Sequence, residues 1–244
     1  MPGDRILVSD LILILLMVKK SPDYKVLREQ MVQKQLVSRD IADQRVLDAM
    51  RSVPRHLFVP ESVRHMAYWD GPLSIGEGQT ISQPYIVALM TQLLRLQAGE
   101  RVLEVGCGSG YQAAVLASLV EEVITIERHA NLATRADQTL KELGYDNVQV
   151  LVGDGSLGVP VATPFDAVII TAAAPAIPSA LKEQTAPGGR IVAPVGSLGS
   201  QILELVERSG GEWCCERSIP VMFVPLIGEH GWGEEEKSHG RWWA

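Results

Sequence analysis

Three acidic side chains of this chain sit in or just after short apolar runs, and two of them, Glu104 and Asp154, lie within two residues of a glycine. Glu104 lies in "RVLEVG", Glu127 closes "VITIE", and Asp154 stands in the "GDG" that follows "NVQVLV". The first run opens into "LEVGCGSGY", which places Gly106, Gly108 and Gly110 at a strand-to-helix turn. Glycine there permits a tight turn and lets a ligand approach the backbone, while the following helix offers its first N–H groups. Glu127, 21 residues after Gly106, is placed where an acid accepts the hydroxyls of a ribose. A dinucleotide fold would read G-x-G-x-x-G, its third glycine packing close beside a pyrophosphate. Here the spacing is G-x-G-x-G and Tyr111 takes that third place. Glu104, two residues ahead of Gly106, would repel a pyrophosphate but suits the ammonium and sulfonium of S-adenosyl-L-methionine. Asp154, followed by Gly155, can accept from an adenine amino group. The chemistry these residues favour is methyl transfer, not hydride transfer.

A second group of polar residues lies earlier. "GEGQTISQP" carries Thr80 and Ser82 either side of Ile81, immediately before the apolar "YIVALMTQLL". Ser82 reads both as the cap of that helix and as a hydroxyl that handles a substrate. The acceptor is constrained by protonation. An amine with a pKa near 10.4 needs a base or desolvation, whereas a carboxylate is already ionised at pH 7 and needs only positioning. The loop "TAAAPAIP" after the fourth strand contains no base and no Asn-Pro-Pro-Tyr-type motif. Its small residues are expected to leave room for an extended peptide, and the missing base favours a carboxylate.

Composition sets the frame for this chemistry. The 244 residues are 46% hydrophobic and 21% charged, with a formal net charge of -7, ordinary for a soluble globular protein and unfavourable to a broad phosphate-binding surface. Cys107, Cys214 and Cys215 form no CxxC pair, and the five histidines show no ligand spacing, so no metal and no disulfide framework is expected. "LILILLMV" (residues 11–18) is far short of the ~20 apolar residues that span a bilayer. With neither a clear basic leader nor an A-x-A site, residues 1–20 are expected to be a packed hydrophobic extension or the product of a start codon placed too far upstream, with a membrane-surface anchor as the alternative. A cytoplasmic monomer without nucleic-acid partners is the expectation.

The elements that must position these groups follow from the rhythm of the chain. Residues 23–50 are helical in pattern, "VPRHLFVPE" turns the chain, and a loop-rich stretch leads to a helix from Tyr85 to Leu96, closed by Ala98-Gly99. Strand-like and helical runs then alternate to "GGRIVAPVG", which specifies a mostly parallel sheet with helices on both faces. "QILELVERSG", "EWCCERSI" and "MFVPLIG" read as antiparallel strands closing an edge. The expected architecture is a three-layer, Rossmann-like α/β fold of one domain, 21–228. Its parts are N-terminal helices (21–98) and a cofactor-binding core (99–228), with a flexible tail over 229–244.

"VPRHLFVP", "AYWDGPLSIGEGQTISQPYIVALMTQLL", "LEVGCGSGYQAAVLA", "VITIER", "GDG", "FDAVIITAAAPAIPSALKEQTAPGGRIVAPVG" and "FVPLIG" together resemble the protein-L-isoaspartate O-methyltransferase family, from about Tyr24 to Gly228. The "GQTISQP" segment is the most specific part. The resemblance implies a class I methyltransferase fold and S-adenosyl-L-methionine as cofactor, leaving as S-adenosyl-L-homocysteine. It implies isoaspartyl-containing proteins and peptides as substrates: the free α-carboxylate of L-isoaspartyl residues, or a D-aspartyl side chain, is methylated, and the ester collapses to a succinimide. By position, Ser82 is the active-site serine, with Thr80 and Ile81 shaping its loop, and Gly106, Gly108, Glu127, Asp154 and Gly155 match the cofactor motifs. Ser74 and Met222 depart from the family's usual proline and basic residue. The alternatives are another class I methyltransferase, acting on a small molecule or RNA, and a non-catalytic adenosylmethionine-binding protein.

Overall fold

The computed structural model describes residues 22–161 and 163–237. Helix α1 (Tyr24–Met31) starts where Asp23 accepts from the Lys25 and Val26 N–H groups, and a π-turn over Val32–Val37 extends it. Asp43 caps α2 (Gln44–Ser52) in the same way. The stretch expected as loop contains a hairpin, β1 (Leu73–Gly76) with β2 (Gln79–Ile81), before α3 (Pro84–Leu93).

The core then alternates. β3 (Arg101–Val105), α4 (Tyr111–Ala117), β4 (Glu122–Glu127), α5 (Ala130–Glu142), β5 (Val148–Val152), β6 (Phe165–Ile170), α6 (Ser179–Glu183) and β7 (Thr185–Ser197) follow one another. β8 (Ser200–Ser209) and β9 (Glu212–Val221) complete a seven-stranded sheet in the order β5-β4-β3-β6-β7-β8-β9. β3 to β7 are parallel neighbours, while β8 and β9 fold back antiparallel. Neighbouring residues of one strand face opposite sides, so Val102 joins a core with the N-terminal helices, α4 and α5, while Leu103 joins a second core containing Leu181 of α6. This is the expected mostly parallel, three-layer arrangement. Its chain reverses direction across the sheet between β3 and β6, and the crevice at that switch point is where such sheets bind ligands.

The expected strand "MFVPLIG" is not part of the sheet, which ends at β9; that segment makes only isolated parallel bridges, Pro225 with Ala173 and Ile227 with Trp232. Two boundaries also differ from expectation. α3 ends at Leu93, not Leu96, because Arg95 takes a left-handed φ of 47°. The buried Arg190 guanidinium donates to the carbonyls of Leu94 and Arg95 and pairs with both Glu100 oxygens at 2.7 Å, closing the helix from almost a hundred residues away. Residues 229–237, expected within a flexible tail, are tied down: Glu229 N donates to Asp154 at 2.8 Å and Trp232 N to the Leu226 carbonyl at 2.7 Å, ahead of a short helix α7 (Glu234–Lys237). The expected extension over residues 1–20 lies outside the described residues.

Candidate functional site

The carboxyl ends of β3, β4 and β6 open into one cavity, and strands there leave their terminal backbone groups for a ligand. Its walls are the loop from Glu104 to Ser109, Ile126–His129, Gly153 and Gly155, Thr171–Ala172, Val224–Ile227, and the segment Gln79–Ser82. The two groups singled out in the sequence therefore meet: Thr80, Ile81 and Ser82 share a cavity with Glu104, Gly106, Gly108, Glu127 and Gly155.

The glycine loop follows from contacts that leave no room for a side chain. Gly106 has a φ of 99°, and a Cβ there would run into the Thr171 hydroxyl, which donates to the Gly106 carbonyl at 2.6 Å. A Cβ on Gly155 would meet Val105 at 2.6 Å and Ile126 at 2.8 Å. Glu127 accepts from the N–H groups of Gly108 at 2.8 Å and His129 at 2.9 Å, so one carboxylate sets both loop edges. Gly110 is placed differently from expectation. It does not line the cavity; a Cβ there would press on Ala136 and Leu140 at 3.2 Å, so this glycine lets α5 approach the start of α4.

Glu104 is fully buried. One oxygen accepts from Thr125 Oγ1 at 2.5 Å, while Oε1 has no partner among the described residues. Burial pushes its carboxyl up to about 8, with the Thr125 hydrogen bond opposing and the Glu127 charge adding to the rise. Without a cation beside it the group is thus a neutral acid at pH 7, not the standing anion the sequence suggested. An orphaned buried oxygen in a ligand cavity is a vacancy for a donor, and the α-ammonium of adenosylmethionine is one. The residues present fit that cofactor.

Asp154 is not among the lining residues. Its Oδ1 accepts from Ser156 N and Oγ at 2.9 and 2.7 Å, and Oδ2 accepts from Glu229 N. Burial alone would raise its carboxyl, but these hydrogen bonds outweigh it and hold the pKa below the usual range. Instead of the expected direct adenine acceptor, the geometry shows a brace between the β5 loop and the chain around Gly228. The "TAAAPAIP" loop also departs from expectation. Ala173 and Ala174 are buried, and their backbones bond to Val224, Leu226, Pro194 and Gly196, so their small size serves close packing, not room for a peptide.

Ser82 is half-buried, and its hydroxyl is not used by the helix. Gln83 is the N-cap of α3 without a side-chain bond, and Pro84 occupies its first turn. The expected capping role is therefore not seen. Sequence reasoning missed Thr171, Arg128, His129 and the Val224–Ile227 wall. Thr171 carried a faint signal as the polar residue that ends "FDAVIIT"; the others face the cavity only through the tertiary fold. Cys107 is a buried packing residue whose thiol is pushed up by burial. Among the described residues no cluster of three or more potential metal ligands occurs, and no helix is long and apolar enough to cross a membrane.

Residues 26–231 match the family model of protein-L-isoaspartate(D-aspartate) O-methyltransferase. A protein-L-isoaspartate O-methyltransferase 1 of Syntrophobacter fumaroxidans is 58% identical over 206 residues, covering 84% of this chain and 96% of the relative. One of Methanoculleus marisnigri is 51% identical over 212 residues, covering 85% and 94%. Among solved structures, a protein-L-isoaspartate O-methyltransferase aligns with a TM-score of 0.77 at 28% identity, over 84% of this chain and 67% of that one. A beta-aspartate methyltransferase structure from Plasmodium falciparum, in complex with S-adenosyl-L-homocysteine, aligns with a TM-score of 0.72 at 26% identity, over 85% and 99%.

Proposed function

The chain belongs to the protein-L-isoaspartate(D-aspartate) O-methyltransferase family, and from that premise we propose how its own residues divide the work. It is an S-adenosyl-L-methionine-dependent repair enzyme that esterifies the free α-carboxylate of isoaspartyl residues in damaged proteins and peptides. Bound adenosylmethionine supplies an electrophilic methyl group, and the chain's task is to hold donor and acceptor in line.

The observation that carries the assignment of roles is the meeting of Ser82 and Thr80 with the glycine loop and Glu127 in one cavity. Gly106 and Gly108 let the cofactor lie against the backbone, Glu127 receives its ribose hydroxyls, and Glu104 receives its ammonium. Gly155 forms the wall beside the base, with Asp154 fixing that wall from behind. Ser82, free of any capping bond, donates to one oxygen of the acceptor carboxylate, and Thr80 and Ile81 shape the entrance. No base is required, since the acceptor is ionised at pH 7. In line with this, Glu104 is held by Thr125 and Glu127 by two backbone N–H groups. A cytoplasmic enzyme without nucleic-acid partners agrees with the net charge of -7 and the unpaired cysteines.

Ser82→Ala tests the central role. A hydrogen bond to a charged group is worth about 1.5–3 kcal/mol, so kcat/KM on an isoaspartyl peptide should fall roughly 10- to 100-fold with the Kd for S-adenosyl-L-homocysteine unchanged. Unchanged turnover would remove Ser82 from the mechanism.

A further inference from the structure

Arg55 sits in a turn of 3-10 helix, Arg55–Leu57, within "VPRHLFVP", and is 0% exposed. Its Nε donates to the Ala67 carbonyl at 2.8 Å and its Nη2 to the Ser82 carbonyl at 2.7 Å. Its Cζ lies 4.8 Å from the centroid of the Tyr111 ring, which Phe58 meets edge-on at 5.6 Å. Tyr111 in turn lines the cavity, as Ser82 does. Buried charges are ordinarily paired with an opposite charge, because desolvation costs several kcal/mol per ion. Among the described residues Arg55 donates to two neutral carbonyls, its buried Nη1 has no hydrogen-bond partner, and its remaining polar company is the side chains of Tyr111 and Tyr68; no carboxylate acts on it. Burial lowers its pKa to about 10, which leaves the guanidinium charged at pH 7.

We propose that Arg55 is a positioning residue for methyl transfer: it fixes the backbone of Ser82 and sets a buried positive charge behind the loop that receives the anionic acceptor. This rests on the reading of Ser82 as the residue that meets the acceptor carboxylate. Two facts meet here. The protein keeps a fully buried cation that has no counter-charge among the described residues, and the substrate group that arrives at the same loop is an anion. In a water-poor interior such a charge acts over several ångströms with little screening. The planar fork also matters. Its donors reach two carbonyls from different segments, residues 67 and 82, while the ring of Tyr111 supports its face. Lysine, a point charge on a flexible stem, keeps the charge but loses that two-pronged grip.

The test compares Arg55→Lys, Arg55→Gln and Ser82→Ala, alone and combined, with rates expressed per folded molecule from unfolding curves. Arg55→Lys should lower kcat/KM on an isoaspartyl peptide about tenfold and Arg55→Gln by more, while the Kd for S-adenosyl-L-homocysteine stays within twofold. Because Arg55 acts through Ser82, adding Arg55→Lys to Ser82→Ala should cost less than a further twofold; groups that work as a unit are non-additive. A lowered Tm with unchanged kinetic constants, or fully multiplicative losses, would overturn the proposal. Wild-type turnover in Ser82→Ala alone would instead overturn the reading of Ser82 on which it rests. The wild-type protein gives an independent readout should the Arg55 variants not fold. The Arg55 Nη–H resonances should shift when an isoaspartyl peptide is added to protein loaded with S-adenosyl-L-homocysteine, and not with the matching aspartyl peptide. Equal response to both peptides, or to neither, would overturn it.

Discussion

Glu104 and Thr125 face each other across β3 and β4, and the threonine hydroxyl binds one carboxyl oxygen at 2.5 Å while the other, equally buried, is left without a partner among the described residues. A buried acid in this state resists ionisation, so cofactor binding and proton release should be linked. In the folded apo-protein the proton stays on Glu104 up to about pH 8, whereas an ordinary carboxyl releases it near 4.5. The folded state thus binds the extra proton between those values, and stability from this group is full below the lower value and lost as pH rises through the upper one.

The first prediction is calorimetric. Binding of S-adenosyl-L-homocysteine at about pH 7 should release close to one proton, read from the dependence of the heat on buffer ionisation enthalpy. Glu104→Gln should abolish the release and flatten the fall in apo-protein Tm across the same pH range. Binding with no proton release in the wild type would contradict this.

Glu127 gives a second prediction. Its carboxylate holds the N–H groups of Gly108 and His129, and in the proposed role it also receives the ribose. Glu127→Ala should weaken S-adenosyl-L-homocysteine binding by roughly 10- to 100-fold, the scale of losing one or two charge-assisted hydrogen bonds. An unchanged Kd in titration calorimetry would exclude the ribose role.

The glycine loop supplies a third, as a contrast. Gly106→Ala introduces a side chain at φ 99° against Thr171 inside the cavity, whereas Gly110→Ala, at φ 85°, presses on α5 outside it. Both should lose about 1–3 kcal/mol of stability, but only Gly106→Ala should also weaken cofactor binding of the folded protein. Equal loss of affinity in both would place Gly110 back in the site.

A fourth concerns Asp154, whose carboxylate ties Ser156 and Glu229 together with its pKa lowered by those bonds. A depressed acid stabilises the fold above its ordinary pKa and loses that contribution as pH falls through the lowered one. Asp154→Asn should therefore reduce Tm at pH 7 but have progressively less effect once the pH falls below the ordinary value of 3.8 and through the lowered one. A difference independent of pH would contradict the ionised brace.

The sequence made the strand ends legible because their signals are local: an apolar run closing on an acid, with glycine within two residues of Glu104 and Asp154. The spacing of Glu104, Gly106 and Glu127 was enough to favour adenosylmethionine over a dinucleotide. What stayed hidden was set by distant partners. The end of α3 is fixed by Arg190, the orientation of Asp154 by Glu229, and the packing of Gly110 by α5. The buried state of Glu104 was hidden for the same reason, since an acid one residue inside a strand reads the same whether water or protein surrounds it. The β1–β2 hairpin escaped because its strands have only four and three residues, too short to show a period.

The most direct test of the whole account is methyl transfer from labelled S-adenosyl-L-methionine to a pair of peptides that differ only in carrying isoaspartate or aspartate at one position. The account predicts base-labile label on the isoaspartyl peptide and none above background on its aspartyl twin. Equal labelling of both peptides, or of neither, would contradict it.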